Sequence, residues 1–271
     1  MIKQAIIPLA GLGTRLLPLS SVIPKELLPI NGKPGLEYIL DECIGAGIKE
    51  IILVISSKKK IIKKYFYNDN FFKKIIKKKQ KDSRLKFEYS KIKKYKKMIK
   101  FVYQDTPLGT GDAILKCRKI IRSKHFLMLL PDDLIIKNNC SRAMIKLYNK
   151  YNSCIIASKK VSKKDVARWG IFKLESYIKK DFIIKDVIEK PSVKSAPSNQ
   201  AIIGRYILPS KIFEILKNQR PGKNGEIHIT DAIRVLIKNK NKFIGHVFAG
   251  KYLDCGTMKG YINSFIETSK L

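Results

Sequence analysis

The chain has 271 residues, 56 of them Lys or Arg against 22 Asp or Glu, for a formal net charge of +34. This length buries a full core near the upper end of what one domain holds, so a single domain over residues 1–271 is expected, in halves of about 1–150 and 151–271. No apolar run approaches the ~18 residues of a membrane span, and the N-terminus shows no basic, apolar and cleavage-site succession, so neither a spanning helix nor a signal peptide is expected.

In chain order, short apolar runs at residues 5–9, 51–55, 99–103, 126–130 and 154–158 read as strands, with helical patterns near 35–46, 111–121 and 141–151 between them. This alternation predicts an α/β fold with a mixed, mainly parallel central sheet flanked by helices. Runs at 171–174, 182–188 and 201–207 are separated by short loops rather than crossovers, which predicts a small sheet extension laid over the first half. Residues 224–239 read as a helix, 243–248 as a last strand and 257–267 as a closing helix. The lysine-rich stretch 58–97 is poor in turn punctuation and is expected to be a variable, partly mobile insertion. No internal repeat is found.

A balance this basic would ordinarily point to nucleic acid or an anionic membrane. The distribution points elsewhere: Lys58 to Lys60, Lys77 to Lys79 and the stretch 91–100 lie in the most polar part, and the other lysines are scattered with Ile and Asn over nearly every segment. Compositional drift in an A+T-rich genome would leave that pattern. No specific nucleic acid and no membrane is therefore expected as a partner; tight RNA retention at physiological salt with a steep salt slope would overturn this. Cys43, Cys117, Cys140, Cys154 and Cys255 are odd in number with no Cys-x-x-Cys pair, which predicts a reducing, cytoplasmic setting, no disulfide and no zinc site.

The chemistry concentrates at strand ends. After the first strand, Gly11 and Gly13 allow a turn that aims successive backbone N–H groups at an anion, and Arg15 and Lys25 flank it. A lone Gly-x-Gly is equally a plain tight turn, and neither a Walker A sequence nor a third dinucleotide glycine follows, since Leu16 stands in that place. The two cations favour a polyphosphate, Arg by its planar fork and Lys as a mobile point charge. Asp132 and Asp133 end the apolar strand 126–130 and point to opposite faces if it continues, so one is expected to serve a site and the other to be structural or exposed. Asp254 also follows a strand and precedes a helix, and oxygen ligands from two strand ends suit Mg²⁺.

Glu189 and Lys190, in Val-Ile-Glu-Lys-Pro, are either an exposed pair closing a strand or a carboxylate for sugar hydroxyls beside an ammonium for a monophosphate. Gln104 opens Gln-Asp-Thr-Pro-Leu-Gly-Thr-Gly-Asp-Ala, either a glycine turn starting a helix or an amide that reads a base edge, with Gly109 and Gly111 allowing close approach. Trp169 is expected to pack in or beside a pocket. His125, His228 and His246 have no partner at metal or triad spacing, and no hydrolase elbow, kinase signature or zincin motif is present.

In this order the segments AGLGTRLLP from Ala10, IPKELLP from Ile23, ECIGAGI from Glu42, LPDD from Leu130, VIEKP from Val187, APSNQAIIGRYIL from Ala196, GEIHITDAI from Gly225 and DCGTMKGY from Asp254 resemble the bacterial UTP:glucose-1-phosphate uridylyltransferases, within the sugar-phosphate nucleotidyltransferases. The resemblance spans nearly the whole chain. It implies a Rossmann-like fold whose first half binds nucleotide and whose second half binds sugar phosphate, and Mg²⁺-dependent uridylyl transfer giving UDP-glucose. It further implies that Ala10, Gly11, Gly13, Thr14 and Arg15 hold the UTP base and phosphates, with Lys25 on the phosphates, while Gln104 and Gly109 contact uracil. Asp132 and Asp254 would hold the metal, and Gly170, Glu189, Lys190 and Gly204 the glucose 1-phosphate. Arg15, Lys25 and Lys190 are the expected catalytic cations. Glu26, counted with the nucleotide-binding residues, is the form typical of uridylyltransferases, where thymidylyltransferase relatives usually carry Gln, and this favours UTP. Self-association is a further expectation. Departures are Trp169 in place of Tyr, Gly-Thr-Gly-Asp at 109–112 in place of Gly-Leu-Gly-His, the stretch 33–36, and a short insertion around Lys91.

Overall fold

A computed structural model describes residues 1–222 and 225–270. In chain order its first half contains β1 (Gln4–Pro8), β2 (Pro29–Ile30), β3 (Lys33–Pro34), α1 (Gly35–Gly45), β4 (Glu50–Ile55), α2 (Lys60–Tyr67), α3 (Asp69–Lys78), α4 (Ser83–Met98), β5 (Ile99–Tyr103), α5 (Thr110–Lys116), β6 (His125–Leu129), β7 (Asp133–Ile136) and α6 (Cys140–Tyr151). The second half contains β8 (Cys154–Lys160), β9 (Gly170–Ile178), β10 (Asp181–Glu189), β11 (Gln200–Pro209), α7 (Ile212–Asn218), α8 (Ile229–Lys238), β12 (Phe243–Val247), β13 (Lys251–Asp254) and α9 (Met258–Thr268).

The first strands are apolar on both faces because both faces are covered. Ala5 and Ile7 of β1, Leu53 of β4 and Leu127 and Leu129 of β6 join one buried cluster, while Ile6, Ile52, Val54, Phe126 and Met128 join a second on the opposite side. Nine strands form one sheet in the order β5-β4-β1-β6-β11-β8-β12-β10-β9. Strands β5, β4, β1 and β6 are mutually parallel, whereas β11 runs against both β6 and β8. Of the three runs expected to form the extension, 171–174 and 182–188 become the β9–β10 hairpin, continuous with this sheet, whereas 201–207 is part of β11, which lies inside the central sheet between β6 and β8; the pairing of Ala201 with Ile171 brings β9 back onto β11.

Strand order reverses at β1, with β4 and β5 on one side and β6 on the other. At such a switch point the loops leaving the strand C-termini part and open a crevice. Those loops are the glycine turn after β1, the Gln104 segment after β5 and the Pro131–Asp132 turn after β6.

Several elements differ from expectation. The stretch 58–97 forms three helices, held by Ile62 and Phe66 at helical spacing on α2 and Ile92 and Tyr95 on α4, all buried. Polar anchors to α1 assist: the Tyr95 hydroxyl donates to Asp41 at 2.5 Å, Lys91 pairs with Glu37 at 2.5 Å, and the Tyr65 hydroxyl also donates to Glu37. Lysines between the apolar anchors hide this period in the sequence. Helix α5 stops at Lys116, and α8 begins at Ile229 rather than 224; Asn224 lies outside the described residues. The short ribbon β7–β13 and helix α7 carry too few residues to show a period. No described helix is long and apolar enough to cross a membrane.

Candidate active site

A cleft of about 970 Å³ opens at the switch point. Of the residues singled out in the sequence, Ala10, Gly11, Gly13, Thr14, Arg15, Lys25, Glu26, Gln104, Gly109, Asp132, Gly170, Glu189, Lys190, Gly204 and Asp254 line it, whereas Gly111 does not: it is buried in α5, where a Cβ would meet the Ile227 carbonyl at 2.7 Å. Arg168, Trp169 and Thr230, to which the sequence assigned no chemistry, line it as well.

On one wall, the chain leaves β1 through Gly13, whose φ of +72° suits glycine, into a 3-10 turn at Thr14–Leu16 that carries Arg15. The turn is closed by Ser20 Oγ, which donates to the Gly13 carbonyl at 2.8 Å. A Cβ on Gly11 would meet nothing within 4 Å, so this part of the loop faces open space. Lys25 Nζ lies 2.7 Å and Arg15 Nη2 3.5 Å from Asp132 Oδ2. Burial alone would lower the Lys25 ammonium, but the Asp132 and Glu26 carboxylates more than offset it and hold the group above the ordinary lysine range. Asp132 shows the reciprocal effect: burial opposes its charge, and Lys25 nevertheless holds its carboxyl below the usual range.

Behind Lys25, the Glu26 side chain is 0 % exposed. Lys59 Nζ donates to both of its oxygens at 2.9 Å and to the Leu9 carbonyl at 2.7 Å. All three ammonium hydrogens are thereby used, tying the end of β1, the Glu26 turn and the segment after β4 into one unit beside the glycine turn. Nothing distinguished Lys59 in the sequence, where it sits among other lysines.

Asp132 and Asp133 both line the cleft but differ in their partners. Asp132 meets Lys25 and Arg15; Asp133 is buried, accepts from the Gly204 N–H at 2.8 Å and from the Tyr252 hydroxyl at 2.6 Å, and is pushed up to about 6 by burial and by the neighbouring Asp132 charge. The fully buried Arg205 fixes this turn, donating to the Leu130 carbonyl at 3.2 Å, the Asp133 carbonyl at 2.6 Å and both oxygens of Glu42 on α1. Asp254 arrives through the β7–β13 ribbon, whose register sets it opposite Asp133, and the Cys255 N–H donates to the Asp132 carbonyl at 2.7 Å. Asp132 Oδ2 and Asp254 Oδ1 lie 2.9 Å and 3.1 Å from where a Cβ on Gly256 would stand, so the absence of a side chain there lets the two carboxylates converge.

Among the described residues no group of three or more His, Cys, Asp or Glu side chains is gathered for a metal. Two convergent carboxylates fit a hard divalent cation that takes its remaining ligands from phosphate oxygens and water. At present both carry internal cations, Asp132 from Lys25 and Asp254 from Arg168, whose Nη2 is 3.3 Å from Asp254 Oδ2.

The opposite wall carries Glu189 and Lys190. Glu189 Oε2 accepts from Thr230 Oγ1 at 2.7 Å, and Lys190 Nζ stands 3.8 Å from Glu189 Oε1 with its side chain 51 % exposed. Lys190 has a φ of +43°, uncommon outside glycine, and its N–H donates to the Trp169 carbonyl at 3.0 Å. A Cβ on Gly204 would come within 2.5 Å of both Asp133 Oδ2 and Leu130 Cβ, which favours glycine there, and one on Gly170 would come within 2.8 Å of Ile202 Cδ1, the mobile end of that side chain. Trp169 lies edge-on to Tyr252 with ring centroids 5.7 Å apart.

Gln104 is buried at the mouth of α5, where its Nε2 donates to the Gly109 carbonyl at 3.1 Å and to Asp112 Oδ2 at 2.8 Å. The departure at 109–112 therefore has a structural counterpart, since Asp112 holds the Gln104 amide.

Residues 4–270 match the family described as Nucleotidyl transferase. The chain is 35% identical over 269 residues to a UTP–glucose-1-phosphate uridylyltransferase of Pseudomonas aeruginosa, covering 97% of this chain and 95% of that one. Its structure is similar to a crystal structure of UDP-glucose pyrophosphorylase complexed with UDP-glucose, with a TM-score of 0.86 and 36% identity over 100% of this chain and 99% of the other. It is also similar to the UTP-bound UGPase of Acinetobacter baumannii, with a TM-score of 0.88 and 33% identity over 99% and 93%.

Proposed function

The chain belongs to the nucleotidyl transferase family, and from that premise we propose that it transfers the uridylyl group of UTP to glucose 1-phosphate, giving UDP-glucose and pyrophosphate. The observation that carries this reading is one cleft holding a glycine turn with two cations on one wall and a separate Glu189–Lys190 site on the other. A phosphate oxygen of glucose 1-phosphate attacks the α-phosphorus of UTP in line; a new P–O bond forms as the bond to the pyrophosphate oxygen breaks. The nucleophile is already an anion, so the protein's task is alignment and the quenching of repulsion between two phosphates.

The glycine turn and Thr14 receive the nucleotide phosphates, and Gln104 and Gly109 receive the base. Arg15 and Lys25 stabilise the charge that develops on the leaving pyrophosphate, while Lys190 holds the sugar phosphate and Glu189, oriented by Thr230, accepts from sugar hydroxyls. Gly170 and Gly204 line the sugar side of the cleft and let Ile202, Asp133 and Leu130 pack close behind it. Mg²⁺ would be held by Asp132 and Asp254, where it supplies charge neutralisation at the phosphates when bound. The same reading sets the reaction in the cytoplasm, a reducing compartment that suits five buried free cysteines, and includes self-association of the chain.

The test is pyrophosphate release from UTP, dTTP or ATP with several sugar 1-phosphates, with and without Mg²⁺. Release confined to UTP with glucose 1-phosphate and dependent on Mg²⁺ is the expected result. Silence in every combination would sink the proposal, and release with dTTP alone would move it to a thymidylyl transfer.

A further inference from the structure

The run Gly-Thr-Gly-Asp at 109–112 is the motif that the proposed reaction leaves unexplained. Its geometry concerns one side chain. Gln104 Nε2 carries two hydrogens, and both are engaged: one by the Gly109 carbonyl at 3.1 Å, the other by Asp112 Oδ2 at 2.8 Å. Gly109 has a φ of +96°, and a Cβ there would lie 2.8 Å from the Ile227 carbonyl oxygen, so the backbone that offers its carbonyl is itself fixed. Asp112 is buried in the first turn of α5, with Lys116 one turn further on at 3.8 Å.

An amide side chain has two orientations that exchange its oxygen and nitrogen. Turned over, Gln104 would bring its oxygen against a carboxylate and a carbonyl, two acceptors with no proton between them. The observed orientation is therefore locked. Its consequence is at the other end of the amide: Gln104 Oε1 accepts no hydrogen bond from any described residue, and Gln104 lines the cleft. The cleft thus meets the base with a fixed acceptor and no amide donor to spare.

We propose that Asp112 is a specificity-determining positioning residue: by holding Gln104 with its oxygen toward the cleft, it selects a nucleobase that presents an imide N–H and rejects cytosine, whose ring nitrogen at the same edge is an acceptor. This rests on the reading of the cleft as a nucleotide site. Thymine presents the same imide edge, so the lock separates uracil and thymine from cytosine and leaves the thymine methyl to other contacts. A site built around one polar partner discriminates strongly because the wrong base leaves a buried group unpaired.

The isosteric Asp112→Asn variant tests it. The carboxamide it introduces can turn an NH₂ toward Gln104 Oε1, which removes the charge that forbids the flipped amide. The ratio of kcat/KM for UTP over CTP should fall at least about tenfold, the scale of one charge-assisted hydrogen bond, with the KM for glucose 1-phosphate changed less than about twofold. Asp112→Ala, which deletes the acceptor, should lower the same ratio. A purely structural Asp112 would lower thermal stability and leave the ratio where it was, and that outcome in either folded variant overturns the inference, as would failure of both to fold. A wild-type protein with no activity on UTP and glucose 1-phosphate would instead bring down the proposed function.

Discussion

Removing Lys59 leaves the Glu26 carboxylate unpaired in a place that water does not reach. Glu26 is 0 % and Lys59 12 % exposed at the side chain, and the ammonium sits 2.9 Å from both carboxylate oxygens. The site is dry enough that burial pulls Lys59 below the ordinary lysine range even with Glu26 beside it. Truncating one partner of a buried pair costs about 3–5 kcal/mol because the other charge remains. For a chain of this size each kcal/mol shifts Tm by roughly 2 °C, so Lys59→Met should melt about 6–10 °C lower. The double variant Glu26→Gln with Lys59→Met removes the stranded charge and should recover all but about 1–2 kcal/mol. Calorimetry of the four proteins of this cycle gives the answer. A loss under about 1 kcal/mol for Lys59→Met, or a double variant no more stable than the single one, would refute the reasoning. Because the same ammonium also holds the Leu9 carbonyl at the base of the phosphate loop, UTP affinity should weaken in the folded single variant.

Further outcomes follow from the two walls of the cleft and from the periphery. Lys190→Ala should reduce turnover on the order of 10²-fold in a folded protein, read by steady-state kinetics, and near-normal turnover would remove Lys190 from the sugar-phosphate site. Gly204→Ala forces a methyl within 2.5 Å of Asp133 and Leu130 and should cost about 1–3 kcal/mol or more by denaturant unfolding, whereas Gly11→Ala meets nothing within 4 Å, should leave stability unchanged, and should weaken UTP in a binding titration. His125, which meets the Tyr148 hydroxyl at 3.0 Å, is held below the ordinary value of 6.5 by burial and by Lys211 and Lys124. The unfolded chain therefore takes up a proton that the folded one refuses, so stability is intact above 6.5 and declines as pH falls below it. Urea unfolding at about pH 7.5 and 5.5 should show that decline, smaller in His125→Gln; an equal slope in both would refute the assignment.

Residues whose role depends on local chain pattern were legible without coordinates. The apolar runs that became β1, β4 and β6 are buried on both faces, so composition alone marks them as inner strands, while the half-buried β5 closes one edge of the sheet; ligand-facing loops follow the ends of all four. Arg15, Lys25 and Asp132 sit in the segments that follow those ends, which is why charge type and position in the sequence sufficed to nominate them. The helices of 58–97 were hidden because their apolar anchors are spaced a turn apart among lysines, and the distinction between a surface run and a packed hairpin lies in Glu37 and Asp41, far away in sequence.

Sequence by itself thus determined most of the sheet strands, the strand ends that carry charge and, through its ordered motifs, the family, but not the helices of 58–97, α7 or the β7–β13 ribbon. Tertiary structure alone decided which charges meet: that Asp254 converges with Asp132 through the β7–β13 register, that Lys59 rather than solvent neutralises Glu26, and that Asp112 orients Gln104. The division has a physical cause. Backbone preference and apolar periodicity act over a few residues, whereas a hydrogen bond or ion pair is set by distances of about 3 Å that only the packed sheet brings about.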